Sequence, residues 1–205
     1  MLTIHHLNFS RSTRPIWLLE ELGLPYKLVK YERDANGRAP DALRAVHPLG
    51  KAPVMVDDDL VLAESSAILT YINDHLGGGR FAPKAGTDKR FIHDEWLQYV
   101  ESSAAFPISI TVIGSKLGGL SDGLKRFAEP EVANTLNYIS SALTKGPYIM
   151  GEGFTIADIQ FAFPLEVAKG AGLLENYAVL RSYLSRLAER PAYQKAIEVG
   201  GPMRP

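Results

Sequence analysis

The stretch HPLGKAPVMVDDDLVLAES, residues 47–65, ends in two residues that could bind an anion. Glu64 and Ser65 stand at the predicted start of a helix that carries Ile68 and Ile72. Free N–H groups and the positive end of the dipole at a helix N-terminus favour an anion, and the Ser65 hydroxyl adds a donor. The pair could instead be a helix cap and a first-turn acid. Both interpretations can hold together, because the cap region would itself be the anion site.

Pro53, in the same stretch, opens the first of two apolar runs, PVMV and LVLA, which the acidic residues 57–59 join into a predicted hairpin. Proline cannot donate a ladder hydrogen bond and is confined in sheets to edges, bulges and first positions. An X-Pro bond is the only peptide bond for which the cis form is cheap, at about 0.5–1 kcal/mol. Pro53 is therefore either an ordinary trans proline that starts a strand or a cis proline that turns the chain sharply.

A second group of polar residues lies in the loop NFSRSTR, residues 8–14. Ser10, Arg11 and Ser12 offer several hydrogen-bond donors within one turn, just ahead of Pro15. The serines could also cap the helix that Pro15 begins, since Pro suits the first helical turn. The sequence leaves both roles open.

Short-range patterns predict an α/β domain over residues 1–79. Its elements are a strand over 2–7, a helix over 11–23, a strand over 26–32, a short helix from Pro40, a hairpin over 53–63 and a helix from Glu64. The predicted order is βαβαββα. Residues 80–88 lack periodicity and continue a Gly- and Pro-rich stretch, which indicates a linker before a second domain over 89–205.

The second domain is predicted to be wholly helical. Two apolar stripes at helical spacing are Ile92, Trp96, Tyr99 with Ser103, and Val132, Leu136, Ile139 with Leu143. Pro107 is expected to kink or end the first of these helices. Thr155 and Asp158 form a predicted capping box for a helix from Ile156, and the last helix is expected to end near Arg190, before Pro191.

Composition excludes several function classes. The 22 Lys and Arg balance 23 Asp and Glu without basic runs, so nucleic acid and anionic membranes are not expected partners. The chain has no cysteine, which rules out disulfides and thiolate chemistry of its own. Its five scattered histidines predict no metal site, and His5 and His6 point to opposite faces of a strand. Because the start lacks a signal-peptide pattern and no long apolar run follows, we expect a cytoplasmic protein.

The segments SRSTRPIWLLEELGLPY, HPLGKAPV, LAESSAILTYI and GFTIADI, in this order of domains, resemble the glutathione transferase family, in its bacterial and fungal branch without an active-site cysteine. The resemblance implies a thioredoxin-like α/β N-terminal domain followed by an all-α helical bundle domain. It implies an enzyme of detoxification that stabilises the glutathione thiolate and conjugates it to a hydrophobic electrophile. Glutathione-dependent peroxide reduction at the same site, or a non-catalytic binding or assembly module with this fold, are the alternatives.

The resemblance also assigns the glutathione site. It implies that Pro53 is cis and that the backbone of Ala52 meets the cysteinyl unit of glutathione like a strand edge. Glu64 and Ser65 match the pair that holds the γ-glutamyl carboxylate. Lys51 matches a position that can reach the glycyl carboxylate, unless it is a solvated surface lysine. A further candidate for the glycyl end is His47.

Catalysis in this family consists of stabilising a thiolate. A free thiol with a pKa near 8.5 is only a few per cent ionised at neutral pH, and a shift of two units needs about 2.7 kcal/mol. In related enzymes the donor to the sulfur is a tyrosine or a serine between the first strand and the first helix. HHLNFSRSTR contains no tyrosine, so the resemblance implies Ser10 as the donor, with Ser12 and Arg11 as its competitors.

The helical domain is expected to supply the second substrate site and a partner contact. Phe106, Ile110 and Ile113 are expected to line the electrophile pocket, although each could be bundle core. Glu101 could face the glutathione of a partner subunit. The resemblance further implies a homodimer and no cofactor beyond glutathione as co-substrate.

Overall fold

The structure, a computed structural model, describes residues 1–204, and its first part is a four-stranded α/β unit. The strands are β1 (Thr3–Leu7), β2 (Lys27–Tyr31), β3 (Val54–Asp57) and β4 (Leu60–Ala63), and the first three helices are α1 (Thr13–Leu22), α2 (Asp41–Val46) and α3 (Ser65–Tyr71). The sheet order is β2-β1-β3-β4, with β1 and β2 parallel and the other pairs antiparallel. The predicted βαβαββα order and thioredoxin-like fold are confirmed.

Buried apolar residues explain why these elements form. Ile4 in β1 and Val54 in β3 are fully buried, and so are Trp17 and Leu18 in α1. The helix ends at Gly23, whose φ of 66° is the left-handed conformation that favours glycine at a helix C-terminus. The sequence therefore specifies both the packing face and the end of α1.

The C-terminal part of the chain packs with this unit. The first compact unit comprises Met1–Arg80 together with the described residues from Ala188 onward. Its last helix, α9 (Pro191–Gly200), lies against α1, where the rings of Trp17 and Tyr193 meet edge to face at 4.9 Å.

A bidentate ion pair reinforces the packing of α9 on α1. Arg190 donates from Nε to Glu21 Oε1 at 2.6 Å and from Nη2 to Glu21 Oε2 at 2.8 Å. The helix that carries Leu180 ends near Arg190, as expected, but it is not the last helix, and residues 89–205 do not form one unit. Proline also suits the first position of a helix, and here it opens α9, so the chain from Ala188 belongs with the first unit.

The second unit, Phe81–Leu187, is helical, as predicted. Its helices are α4 (Asp88–Tyr99), α5 (Ala105–Lys116), α6 (Asp122–Ala142), α7 (Ile156–Gly170) and α8, which runs from Ala178 to Ala188 and so ends one residue past the unit. Phe81, within the predicted linker, is buried, and its carbonyl accepts the N–H of Ile156 at 2.9 Å. Phe81 is therefore part of the helical unit and not of a linker.

The passage from α4 to α5 differs from the expectation. A π-helical turn, Val100–Ala104, joins the two helices without a break, and Pro107 follows it as the third residue of α5, so this proline does not end the helix. The apolar stripe expected on α4 is wrong at Ile92 and Ser103, both exposed. The buried face is turned by one residue and comprises His93, Trp96, Leu97 and Val100.

Two other features of the helical unit are confirmed. The stripe of Val132, Leu136, Ile139 and Leu143 is buried. The capping box at Thr155 and Asp158 is present, with the Thr155 N–H donating to Asp158 Oδ2 at 2.8 Å. Among residues 1–204, no helix combines the length and the apolar character needed to cross a membrane.

Candidate functional site

Three segments of the α/β unit meet at one end of the sheet. The antiparallel register pairs His5 of β1 with Val54 of β3, and Val54 with Ala63 of β4. Leu7 ends β1, Val54 begins β3 and Ala63 ends β4, so these strand ends lie at the same end of the sheet. The loop after β1, the Ala52-Pro53 bond before β3 and the start of α3 after β4 are therefore at that end.

The start of α3 is the most strongly organised part of this site. Ser65 is 4% exposed and its Oγ accepts a hydrogen bond from Nη1 of Arg14 at 2.8 Å. A guanidinium only donates, so the hydroxyl proton of Ser65 must go to some other acceptor. Glu64, exposed and just before the helix, has φ 69° and ψ 117°, a conformation that costs a non-glycine residue about 1–3 kcal/mol.

Arg14 is a residue of this candidate site that was not expected from the sequence. Its side chain, in the first turn of α1, is fully buried, although Arg is almost never fully buried unless it is paired. A buried guanidinium beside the N-terminus of α3 adds a full positive charge to the partial charge of the helix dipole. The sequence signal was a lone cation among the apolar residues that open α1.

The peptide bond between Ala52 and Pro53 is cis, as the resemblance implied. Pro53 is buried, Ala52 is partly exposed and Lys51 is exposed. His47 is partly exposed, and its Nδ1 accepts the N–H of Leu49 at 3.3 Å. The structure thus leaves Lys51 and Ala52 accessible beside the loop after β1.

The loop after β1 is held from its outer side by Arg33. The guanidinium donates to the carbonyls of Asn8 (3.2 Å), Phe9 (3.1 Å) and Gly37 (2.9 Å), and the Arg33 N–H donates to Oδ1 of Asn8. Phe9 has a φ of 50°, in the left-handed region that is costly for an aromatic residue. Bonds on both carbonyls around this position hold the loop in its strained form.

The inner side of the loop is a buried hydrogen-bonded chain. Ser10 Oγ lies 2.6 Å from Ser12 Oγ, and Ser12 Oγ lies 2.8 Å from Nδ1 of His6. Ser12 is fully buried, whereas Ser10 is 7% exposed and Arg11 is partly exposed. Of the two serines, Ser10 is therefore the nearer to solvent.

Chain stability should fall as the pH drops below about 6.5, because the fold holds His6 neutral. Burial lowers the pKa of His6, and the positive charge of Lys30 on β2 lowers it further. The hydrogen bonds of the ring to the Gly200 carbonyl and to Ser12 raise this pKa, but they do not cancel the effect of burial. The unfolded chain then binds a proton near pH 6.5 that the folded chain does not bind. The stability that His6 contributes by staying neutral is fully present above the pKa that His6 has in the unfolded chain. It is lost as the pH falls through the lower pKa that His6 has in the folded chain.

Urea unfolding of the wild type and of His6→Gln, at pH values from 5 to 8, measures this contribution. We expect the difference in unfolding free energy between the two proteins to shrink as the pH falls below 6.5. A difference that stays constant over this range would show that His6 keeps its ordinary pKa in the fold.

The predicted electrophile-pocket residues lie together in the helical unit. Phe106, Ile110 and Ile113 fall on one face of α5 and line an apolar groove of about 410 Å³. The loop after α5, through Leu117 and Leu120, and Leu124 of α6 form its other wall. Phe106 and Ile113 are 54% and 55% exposed, so neither is bundle core. Within the described chain, no three His, Asp or Glu side chains are grouped to hold a metal ion.

Comparison with known proteins identifies the family to which this chain is similar. A model of the glutathione S-transferase N-terminal domain matches residues 2–74, and one of the glutathione S-transferase C-terminal domain matches residues 121–198. Glutathione S-transferase 3 of Schizosaccharomyces pombe is 32% identical over 97% of this chain and 87% of its own length.

Solved structures agree. A glutathione S-transferase from Actinobacillus pleuropneumoniae has a TM-score of 0.88 at 37% identity, over 98% of this chain and 93% of that one. A sphingomonad glutathione S-transferase, solved in complex with glutathione, has a TM-score of 0.80 at 26% identity, over 97% and 98% of the two chains. Both domains of the family match this chain, and one relative is 32% identical over 97% of it. This chain therefore belongs to the glutathione S-transferase family.

Proposed function

We propose that the protein is a glutathione transferase that binds glutathione where the loop after β1, the Ala52-Pro53 bond and the start of α3 meet. The observation that carries this proposal is the buried Arg14 guanidinium bonded to Ser65 Oγ at the N-terminus of α3. A buried cation and a helix N-terminus together make a site for a carboxylate. The sphingomonad relative, similar over 97% of this chain, was solved with glutathione bound.

In this proposal each end of glutathione has its own partners. The Ser65 hydroxyl and the N-terminus of α3, next to Glu64, hold the γ-glutamyl carboxylate. The backbone of Ala52, before the cis bond to Pro53, pairs with the cysteinyl unit. Lys51, which is exposed, reaches the glycyl carboxylate.

His47 is the second candidate for the glycyl carboxylate. Its Nδ1 accepts the Leu49 N–H, so the ring offers Nε2 as the nitrogen that can donate to an anion.

Ser10 is the proposed catalytic residue. The thiol of bound glutathione loses its proton to solvent, and the Ser10 hydroxyl donates to the resulting thiolate. The thiolate then forms a bond to the electrophilic carbon of the second substrate while the bond from that carbon to a leaving group breaks, and the leaving group departs as an anion with the bonding electrons. Ser12 is fully buried, which argues against it as the donor. Arg11, partly exposed in the same loop, remains the alternative donor.

The second substrate is proposed to be a hydrophobic electrophile. The groove lined by Phe106, Ile110 and Ile113 is apolar and large enough for a small organic molecule. We also propose that the protein is cytoplasmic and a homodimer; its lack of cysteine fits a reducing compartment.

Calorimetric titration of glutathione tests the binding site. The wild type should show saturable binding, and Glu64→Ala/Ser65→Ala should weaken it about 10–100-fold, because a hydrogen bond to a charged group contributes about 1.5–3 kcal/mol. Ser121→Ala/Asp122→Ala is the matched control, since it removes a Ser and an acid from the N-terminus of α6 instead.

We expect the control to bind like the wild type. If the wild type binds no glutathione at millimolar concentration, the transferase proposal fails and a non-catalytic binding or assembly module becomes the better explanation. If all three proteins bind equally, glutathione is held elsewhere than at α3.

A further inference from the structure

The guanidinium of Arg33 joins two loops of the α/β unit. One is the loop after β1, and the other is the turn 34–38 that directly follows Arg33 in the chain. Nε donates to the carbonyl of Asn8 at 3.2 Å, Nη2 to that of Phe9 at 3.1 Å and Nη1 to that of Gly37 at 2.9 Å. The planar group therefore holds three backbone oxygens from two loops at fixed positions.

The turn 34–38 gives this guanidinium an ordered support. Oδ1 of Asp34 accepts the N–H of Asn36 at 2.9 Å and the N–H of Arg38 at 2.8 Å. The Asp34 N–H donates to the Arg38 carbonyl, and the Gly37 N–H donates to the Asp34 carbonyl, both at 2.9 Å. An Asp side chain that bonds the backbone two residues on is typical of a turn. The Gly37 carbonyl thus meets the guanidinium from a turn that its own hydrogen bonds hold.

The backbone at Phe9 is the strained part of the loop after β1. Its φ of 50° lies in the left-handed region, which is sterically costly for an aromatic residue. Arg33 bonds the carbonyl of Asn8, in the peptide before this φ, and the carbonyl of Phe9, in the peptide after it. Rotation of Phe9 to an ordinary negative φ would turn the two carbonyls relative to each other and break this arrangement. Arg33 therefore opposes relaxation of the residue directly before Ser10.

In the proposed function, donation by Ser10 weakens the hydrogen bonds inside the loop. Ser10 Oγ has one proton, which the Leu7 carbonyl at 2.7 Å and Ser12 Oγ at 2.6 Å can accept. When that proton goes to a thiolate, neither of these acceptors receives it. The bonds of Arg33 involve other atoms, so they still hold the loop when the thiolate is bound.

We propose that Arg33 is a positioning residue: by holding the carbonyls of Asn8 and Phe9, it keeps the loop in the strained form in which Ser10 meets the glutathione sulfur. This inference rests on the proposed function, because it explains how the same loop presents its donor. All three nitrogens of the guanidinium are bonded to backbone carbonyls, so Arg33 is assigned no contact with the reacting atoms.

The test measures the pKa of bound glutathione from its thiolate absorbance against pH, with affinity measured by calorimetry. Arg33→Met is the main variant, because it keeps an unbranched apolar stem but removes every donor. We expect the bound thiolate pKa to rise by about 0.5–1 unit, a roughly 3–10-fold loss of thiolate below the wild-type pKa, with little change in affinity.

Two further variants separate geometry from charge. Arg33→Lys keeps the positive charge, but an ammonium on a flexible stem does not reproduce the planar fork of donors. Its thiolate pKa should rise nearly as much as that of Arg33→Met. Arg38→Met is the matched control, because it removes an exposed arginine from the same turn, and its thiolate pKa should match that of the wild type.

Double-mutant cycles test the route of the effect. If Arg33 acts through Ser10, adding Arg33→Met to Ser10→Ala should produce no further rise in the thiolate pKa. If Arg33 acts by holding the strained Phe9, the rise caused by Arg33→Met should be smaller in a Phe9→Asn background. Asparagine adopts the left-handed region far more readily than phenylalanine does, so it needs less support there.

Several results would overturn the inference. One is an Arg33→Met protein that loses thermal stability but keeps the wild-type thiolate pKa, as a merely structural arginine would. A second is a wild-type thiolate pKa in Arg33→Lys, which also decides the matter should Arg33→Met fail to fold. Effects of Arg33→Met and Ser10→Ala that add, or a rise that Phe9→Asn leaves undiminished, are the others. A wild type that binds no glutathione overturns the proposed function itself, which separates the two failures.

Discussion

Replacing Asp158 with alanine should lower the free energy of unfolding by about 3–5 kcal/mol, the largest loss of stability expected from one substitution in the helical unit. The carboxylate is fully buried. It accepts the N–H of Ile149 at 2.9 Å, the N–H of Thr155 at 2.8 Å and the hydroxyl of Tyr183 at 2.8 Å. Alanine leaves these donors without an acceptor, at about 1–3 kcal/mol for each group that stays buried.

The loss should be large because Asp158 joins three segments. It caps the start of α7, binds the turn before it through Ile149, and reaches Tyr183 on α8. Burial raises the pKa of Asp158, and the donated hydrogen bonds oppose that shift. Asp158→Asn, which keeps one oxygen but turns an NH2 toward donors, should lose less stability than Asp158→Ala.

Urea unfolding followed by circular dichroism gives the comparison. Asp122→Ala is the matched control, because Asp122 stands in the first turn of α6 but is exposed. Its expected cost is within about 0.5 kcal/mol. Equal unfolding midpoints for the Asp158 and Asp122 variants would show that the buried capping box does not stabilise the helical unit.

The parts of this fold that the sequence predicted are those specified by near neighbours. The strands of the α/β unit and the Thr155 capping box depend on residues within a few positions of one another, so periodicity and turn chemistry indicate them. The π-helical turn at Val100–Ala104 has no such signal. Helix α9 was missed because proline marks a helix start as readily as a helix end, and only the packing against α1 distinguishes the two.

The residues of the candidate site likewise fall into those that the sequence predicted from one continuous segment and those that distant parts of the chain bring together. The positions of Pro53, Glu64 and Ser65 followed from a continuous segment, and the structure places them at one end of the sheet. Arg14 was missed because its contact with Ser65 spans 51 positions. His6 was considered only as a metal ligand, because its partner, the Gly200 carbonyl, is 194 positions away.

Ser10→Ala should reduce kcat/KM for glutathione conjugation about 10–100-fold at pH 6.5 while leaving glutathione affinity nearly unchanged. A hydrogen bond to a charged group contributes about 1.5–3 kcal/mol, and its loss raises the bound thiolate pKa by about 1–2 units. The thiolate is the nucleophile, so the rate follows the ionised fraction. The defect should shrink as the pH rises through the raised pKa, because glutathione then ionises without help.

Two comparisons make this result specific to the Ser10 hydroxyl. Ser10→Thr keeps a donor and should raise the thiolate pKa less than Ser10→Ala. Ser102→Ala removes an exposed serine hydroxyl that donates to the Gln98 carbonyl in the helical unit, and should leave the pH-rate profile unchanged. Arg11→Met tests the competing donor: if it raises the thiolate pKa more than Ser10→Ala does, the guanidinium is the group that meets the sulfur, and the Ser10 hydroxyl serves the fold of the loop alone.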